Sequence, residues 1–218
     1  MVYTTYSMVE TEERKKSFAL MLVKSHATAE GADIFISSVF DGSIREYLKY
    51  LNLPPAFSNL TKDIYIADLF YRYLADQRFA ETLDVIYHTE MSKPFYPFLI
   101  EEYRKGLSAC FVFTSEMGSD YLYPALQAIK GLETFTNSDG SIARLGTGLR
   151  GILKIPSVKI DTTDLSTSQR LAIIRNVVHV CDDEAQTARA LNKLLPRFEI
   201  TSIDIRQPGF SKFLSDHG

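Results

Sequence analysis

The chain has no tryptophan, only two cysteines, and no apolar run longer than six residues. A bilayer-crossing helix needs roughly 20 apolar residues, so no segment reads as a membrane span. Cys110 and Cys181 stand apart, outside any CxxC or Cys/His cluster, which excludes a disulfide framework and a cysteine-based metal centre. Basic excess is also missing: 24 Lys and Arg stand against 27 Asp and Glu, a net charge of -3. That balance argues against nucleic acid as a partner. There is no internal repeat and no low-complexity segment. What remains is ordinary for a globular protein, with 45% apolar and 23% charged residues over 218 positions. A chain of this length buries about 70% of its unfolded surface without staples.

Acids and bases precede the first apolar run, so the N-terminus lacks the basic-then-apolar order of a secretory signal. A cytoplasmic location is the expectation. Residues 1–16 read as a polar tail. Residues 18–23, FALMLV, read as a buried strand ending at Lys24. Helical spacing runs over 33–52, with a break at Asp41-Gly42 and a stop at Pro54-Pro55. A strand is expected at 63–67 and a helix at 69–90, with Leu69, Tyr73, Leu83, Ile86 and Tyr87 facing inward. A proline-started helix follows over 94–105, then a buried strand over 107–114 and a helix over 120–130.

Residues 131–151 hold five of the eleven glycines and little periodicity. An irregular stretch of that length inside a compact domain is more often functional than neutral. A strand is expected at 152–160, a short one at 176–180, and a helix at 184–195 closed by Pro196. Residues after 200 are weakly patterned. Strands alternating with helices make an α/β sandwich built on one sheet.

Among the four histidines, His179 differs from His26, His88 and His217 because two valines precede it and a helix follows. Such a histidine is either a satisfied core imidazole or a nucleophile, since imidazole is partly unprotonated near neutral pH. By residue type alone, Lys24 is a surface lysine and Phe95 a core ring. Cys110 is a packing residue.

Read in order, the neighbours change this picture. Lys24 ends the first strand, and Tyr87 precedes Lys93-Pro94-Phe95-Tyr96. The glycine-rich stretch ends in Gly148-Leu149-Arg150-Gly151, and Asn176-Val177-Val178-His179 comes last. This set resembles the nucleoside diphosphate kinase family over roughly residues 17–198. The resemblance implies a ferredoxin-like βαββαβ sandwich with an antiparallel sheet and helical insertions, at about 31–62 and 152–174 here, with 199–218 a C-terminal tail. It implies a phosphotransferase that moves the γ-phosphate of a nucleoside triphosphate to a diphosphate through phospho-His179. Lys24 and Arg150 would grip phosphates and sugar, Tyr87 would orient the site, Phe95 would stack on the base, and Asn176 would bond the sugar. Arg144 competes with Arg150; the glycine after Arg150 and the long segment before Arg175 favour Arg150. Mg²⁺ would ride on the nucleotide phosphates and not in a protein cage. Nucleoside di- and triphosphates are then the partners, with a homo-oligomer as the family's usual state.

The sequence departs from the family pattern at several positions. Ser25-His26 follows the lysine where Pro-Asp is usual, and the chain between Lys24 and Tyr87 is longer. Gln127 stands where an arginine is expected, Glu133 or Thr134 near a phosphate-site threonine, and Cys181 where serine is usual. Ala190 falls where a glutamate orients the histidine. These departures motivate two alternatives: a nucleotide-binding module without transfer, and altered chemistry using His179 or a reactive Cys181.

Overall fold

The computed structural model describes residues 16–43, 59–93, 96–132, 135–136, 142–144, 147–153 and 177–218. Its centre is a four-stranded antiparallel sheet in the order β2-β3-β1-β6. The strands are β1 (Ser17–Val23), β2 (Tyr65–Arg72), β3 (Ser108–Ser115) and β6 (Val178–Val180). This order and polarity are those of the expected ferredoxin-like sandwich. A separate two-stranded ribbon pairs β4 (Phe135–Thr136) with β5 (Ile142–Arg144).

Every residue of β1 and β3 is buried, because each strand has neighbours on both sides and helices on both faces. Their unbroken apolar runs follow from that double burial. One face packs against α1 (Ser25–Ala29), α2 (Ala32–Asp41), α5 (Ser119–Lys130) and α6 (Gly148–Ile152), with Met21, Phe111, Ile36 and Leu126 at its core. The other packs against α3 (Gln77–Ile86), α4 (Tyr96–Arg104), α7 (Glu184–Leu194), α8 (Arg197–Arg206) and α9 (Phe210–His217), around Leu20, Leu22, Phe79 and Leu191. Local chemistry sets the helix starts. Asp76 caps α3 by accepting from the Arg78 N–H at 2.9 Å, and Asp183 caps α7 by accepting from Gln186 N–H at 2.6 Å.

Several expectations are corrected. The helix read over 69–90 is strand through Arg72 and helix only from Gln77. Leu69 pairs with Phe111 in the sheet, and Tyr73 is exposed. The expected inward positions Leu83, Ile86 and Tyr87 are buried. The strand expected at 63–67 is the first part of β2; the second part reads as helix in the sequence because β2 is an edge strand, half-exposed and bulged between Ile66 and Asp68. Helix α2 stops at Asp41, where Gly42 takes the left-handed conformation; the rest of the 33–52 expectation lies outside the described residues. Ile152 closes a helix, not a strand, with Leu153 as its C-cap, and 154–160 also lie outside.

The stretch read as a weakly patterned tail holds most of α8 and all of α9. Phe210 and Phe213 of α9 meet Phe18 of β1 with ring centroids 5.0 and 5.3 Å apart. Arg72 and Asp68 of β2 hold α8 through Glu199 at 2.6 Å and Arg206 at 3.0 Å. No described helix is long and apolar enough to cross a membrane.

Candidate functional site

His179 lies in β6, opposite Leu22 of β1, and so points toward the face covered by α3, α4 and α7. The residue is half-buried, but its Nε2 atom is sealed and has no hydrogen-bond partner among the described residues. The edge of the Tyr87 ring stands against the imidazole, with centroids 4.8 Å apart and planes at 62°. Tyr87 is held in turn by Tyr103 of α4, the two hydroxyls lying 2.8 Å apart. Burial pushes both phenols well above their ordinary range, so both stay neutral.

Three cations converge here. Lys24, fully buried, follows β1 and precedes α1; Lys130 ends α5; Arg150 sits in α6. Arg150 donates from Nε and Nη2 to the Val178 carbonyl, at 3.3 and 3.1 Å, beside the histidine. Burial first, then Lys130, Arg150 and Lys24, push the His179 pKa down from 6.5 to about 3. The imidazole is therefore neutral, a potential nucleophile inside a positive field.

Two glycines bring Lys130 and Arg150 together. Gly131 ends α5 at φ +75° and Gly148 opens α6 at φ +58°, both left-handed. A Cβ on Gly131 would lie 1.9 Å from the Thr147 carbonyl oxygen, and one on Gly148 would lie 2.3 Å from that of Ile129. Thr147 locks the crossing: its N–H donates to Leu132 O at 3.0 Å, and its Oγ1 accepts from Leu132 N–H at 2.9 Å. The two ends of the glycine-rich stretch are thus pinned to each other.

Behind Lys24, Ser25 donates to the Glu102 carbonyl, while the Glu102 carboxylate meets His26 Nδ1 at 2.8 Å and Lys105 Nζ at 2.5 Å. Burial alone would raise the Glu102 carboxyl, but the hydrogen bonds from His26 and Lys105 outweigh it and hold it at about 2. Ser25-His26 therefore fastens the segment after Lys24 to α4.

The structure thus gathers Lys24, Tyr87, Arg150 and His179 at one sheet edge. Arg144 is in β5, but its side chain lies outside the described residues, as do Phe95 and Asn176. Glu133 and Thr134 are outside as well. Gln127 reaches the turn after His179, its amide nitrogen 3.5 Å from Cys181 O and 3.3 Å from Asp182 Oδ1. Ala190 is fully buried, its carbonyl accepting from Thr82 Oγ1 at 3.4 Å.

The reactive-Cys181 reading is overturned. Burial pushes that thiol up to about 12, so it is no thiolate near neutral pH. Cys110 is buried and raised likewise.

Sequence reading missed Lys130, Tyr103 and Gln186. For Lys130 the available signal was a basic residue in the last helical turn before a glycine. Tyr103 acts through a hydroxyl sixteen residues away and Gln186 through main-chain atoms, so neither carried one. Among the described residues no group of three or more His, Cys, Asp or Glu could hold a metal.

No family model matches the chain, and no curated protein matches it in sequence. Solved structures do resemble it. The orthorhombic C222 form of Aquifex aeolicus nucleoside diphosphate kinase aligns over 84% of this chain and 98% of its own, with a TM-score of 0.48 and 14% identity. The apo cubic form of the Encephalitozoon cuniculi nucleoside diphosphate kinase aligns over 82% of this chain and 88% of its own, with a TM-score of 0.45 and 13% identity. This is a likeness of fold.

Proposed function

We propose that the chain is a nucleotide-binding phosphotransferase of the nucleoside diphosphate kinase type, working through His179. The observation that carries this reading is the convergence of Lys24, Lys130 and Arg150 on a neutral histidine at a sheet edge. Phosphoryl transfer asks for positioned positive charge and a nucleophile in line, and little else from the protein. A nucleoside triphosphate seats its phosphates among the three cations. An imidazole nitrogen of His179 attacks the γ-phosphorus, the bond to the β-bridging oxygen breaks, and the diphosphate leaves. A second diphosphate then attacks the phosphohistidine, forming the new P–O bond and restoring the imidazole. Mg²⁺ bound to the phosphates supplies charge neutralisation and orientation. Tyr87 fixes the plane of the ring. Phe95 and Asn176 are assigned to base and sugar, and Arg144 remains a second candidate for phosphate.

The test is a pulse of γ-labelled ATP with Mg²⁺, quenched in alkali. Wild type is expected to carry alkali-stable, acid-labile label, and His179→Ala none. Lys24→Met removes a charged donor worth about 1.5–3 kcal/mol, so labelling slows roughly tenfold to a hundredfold. Nucleotide binding without label would reduce the site to a binding module.

A further inference from the structure

Gln186 lies on the first turn of α7 and is 8% exposed. Its side chain makes two hydrogen bonds, both to main chain. Oε1 accepts from the Asp182 N–H at 2.7 Å, three residues after His179. Nε2 donates to the Ile86 carbonyl at 3.1 Å, one residue before Tyr87. The Ile86 carbonyl ends α3, where the last carbonyls have no intrahelical donor, so the amide satisfies a group that would otherwise be orphaned. Its backbone is fixed as well, through the Asp183 cap at 2.6 Å. One buried amide therefore bridges the chain that carries His179 and the chain that carries Tyr87.

We propose that Gln186 is a positioning residue of this site, holding the Tyr87 ring against His179 by tying the end of α3 to the exit of β6. This rests on reading His179 as the reacting group. Nothing described accepts from the sealed Nε2, so ring orientation depends on what packs on the imidazole, and Tyr87 is its aromatic neighbour. Tyr103 fixes the far end of Tyr87 through its hydroxyl. Gln186 fixes the near end through the backbone. Displacing a reacting group by about 1 Å can cost a hundredfold in rate.

The variant Gln186→Met keeps length and shape but loses both hydrogen bonds; Gln186→Glu keeps the acceptor for Asp182 and loses the donor to Ile86. Thr82→Ala is the control, because Thr82 is likewise buried between α3 and α7, its Oγ1 donating to Arg78 O at 2.7 Å and lying 3.4 Å from Ala190 O, with no bond to Ile86 or Asp182. Two readouts are taken on the full chain: the His179 ring-proton NMR shifts, which report the Tyr87 ring current, and the rate of labelling from γ-labelled ATP. Both Gln186 variants are expected to move the His179 shifts toward their values in Tyr87→Leu and to slow labelling about tenfold to a hundredfold. Thr82→Ala is expected to lower the melting temperature and leave both readouts at wild-type values. Wild-type shifts and rate in Gln186→Glu, or equal changes in Thr82→Ala, would overturn the proposal. If wild type itself takes no label, the phosphotransfer reading fails and the ring shifts alone decide the brace.

Discussion

Lowering the pH should leave the His179 ring neutral well past the point where an ordinary histidine takes a proton. Its pKa falls from 6.5 to about 3, through burial and then the fields of Lys130, Arg150 and Lys24. The sign follows from linkage. Between about 3 and 6.5 the unfolded chain binds a proton at this position and the folded chain does not, so acid favours unfolding. The contribution is absent above pH 6.5, grows as the pH falls, and levels off below about 3. A tenfold change in proton affinity corresponds to about 1.4 kcal/mol. A sealed ring would thus lose several kcal/mol, but His179 is half-buried, and solvent screening leaves about 1–2 kcal/mol. The assay is a pH titration of the His179 ring resonances, paired with urea unfolding at pH 7 and pH 4.5 of wild type and His179→Gln. The wild-type midpoint should lie far below 6.5, and the acid loss should shrink in the variant. Pyrophosphate, which screens the three cations, should move the midpoint upward, and so should Lys24→Met. A wild-type midpoint near 6.5, unmoved by pyrophosphate, would refute both the positive cluster and the neutral nucleophile.

Two other perturbations test the scaffold. Gly148→Ala places a Cβ 2.3 Å from the Ile129 carbonyl at a positive φ, so it should cost about 1–3 kcal/mol or more in urea unfolding and raise the His179 pKa by displacing Arg150. Phe210→Ala removes a ring packed 5.0 Å from Phe18; it should cost about 3–5 kcal/mol and speed limited proteolysis within α9.

The two central strands were legible because double burial writes an unbroken apolar run into 18–23 and 109–113. Only the start of β2 was, at 63–67; beyond it the edge strand alternates weakly, and Tyr73, which faces solvent, stands at helical spacing from Leu69. The C-terminal helices were hidden for a related reason. α8 buries Ile203 yet exposes Phe198 and Ile205, so its apolar residues mark no single face. In the site, Lys24, Tyr87, Arg150 and His179 were legible only as an ordered set of motifs. Each alone reads as surface, core or loop. Gln186 and Tyr103 could not be found that way. Gln186 bonds main-chain atoms, which leave no mark on residue identity, and the hydroxyl partner of Tyr103 lies sixteen residues away.

The departures at Gln127, Ala190 and Ser25-His26 share a direction. Gln127 and Gln186 are neutral amides on the Cys181-Asp182 turn, and Ala190 brings no carboxylate to the imidazole. The carboxylate that is buried nearby, Glu102, is turned away to His26 and Lys105. The imidazole of His179 feels Lys130, Arg150 and Lys24, with Asp182 three residues on in the same turn. Lys130, Arg150 and Lys24 set a positive field at the imidazole, and a positive field draws polyanions. On the phosphotransferase reading, ring orientation rests on the packing of Tyr87 and on the amide brace. Phosphate affinity and transfer rate should therefore separate in this protein, the first set by the three cations and the second by how firmly Tyr87 is held.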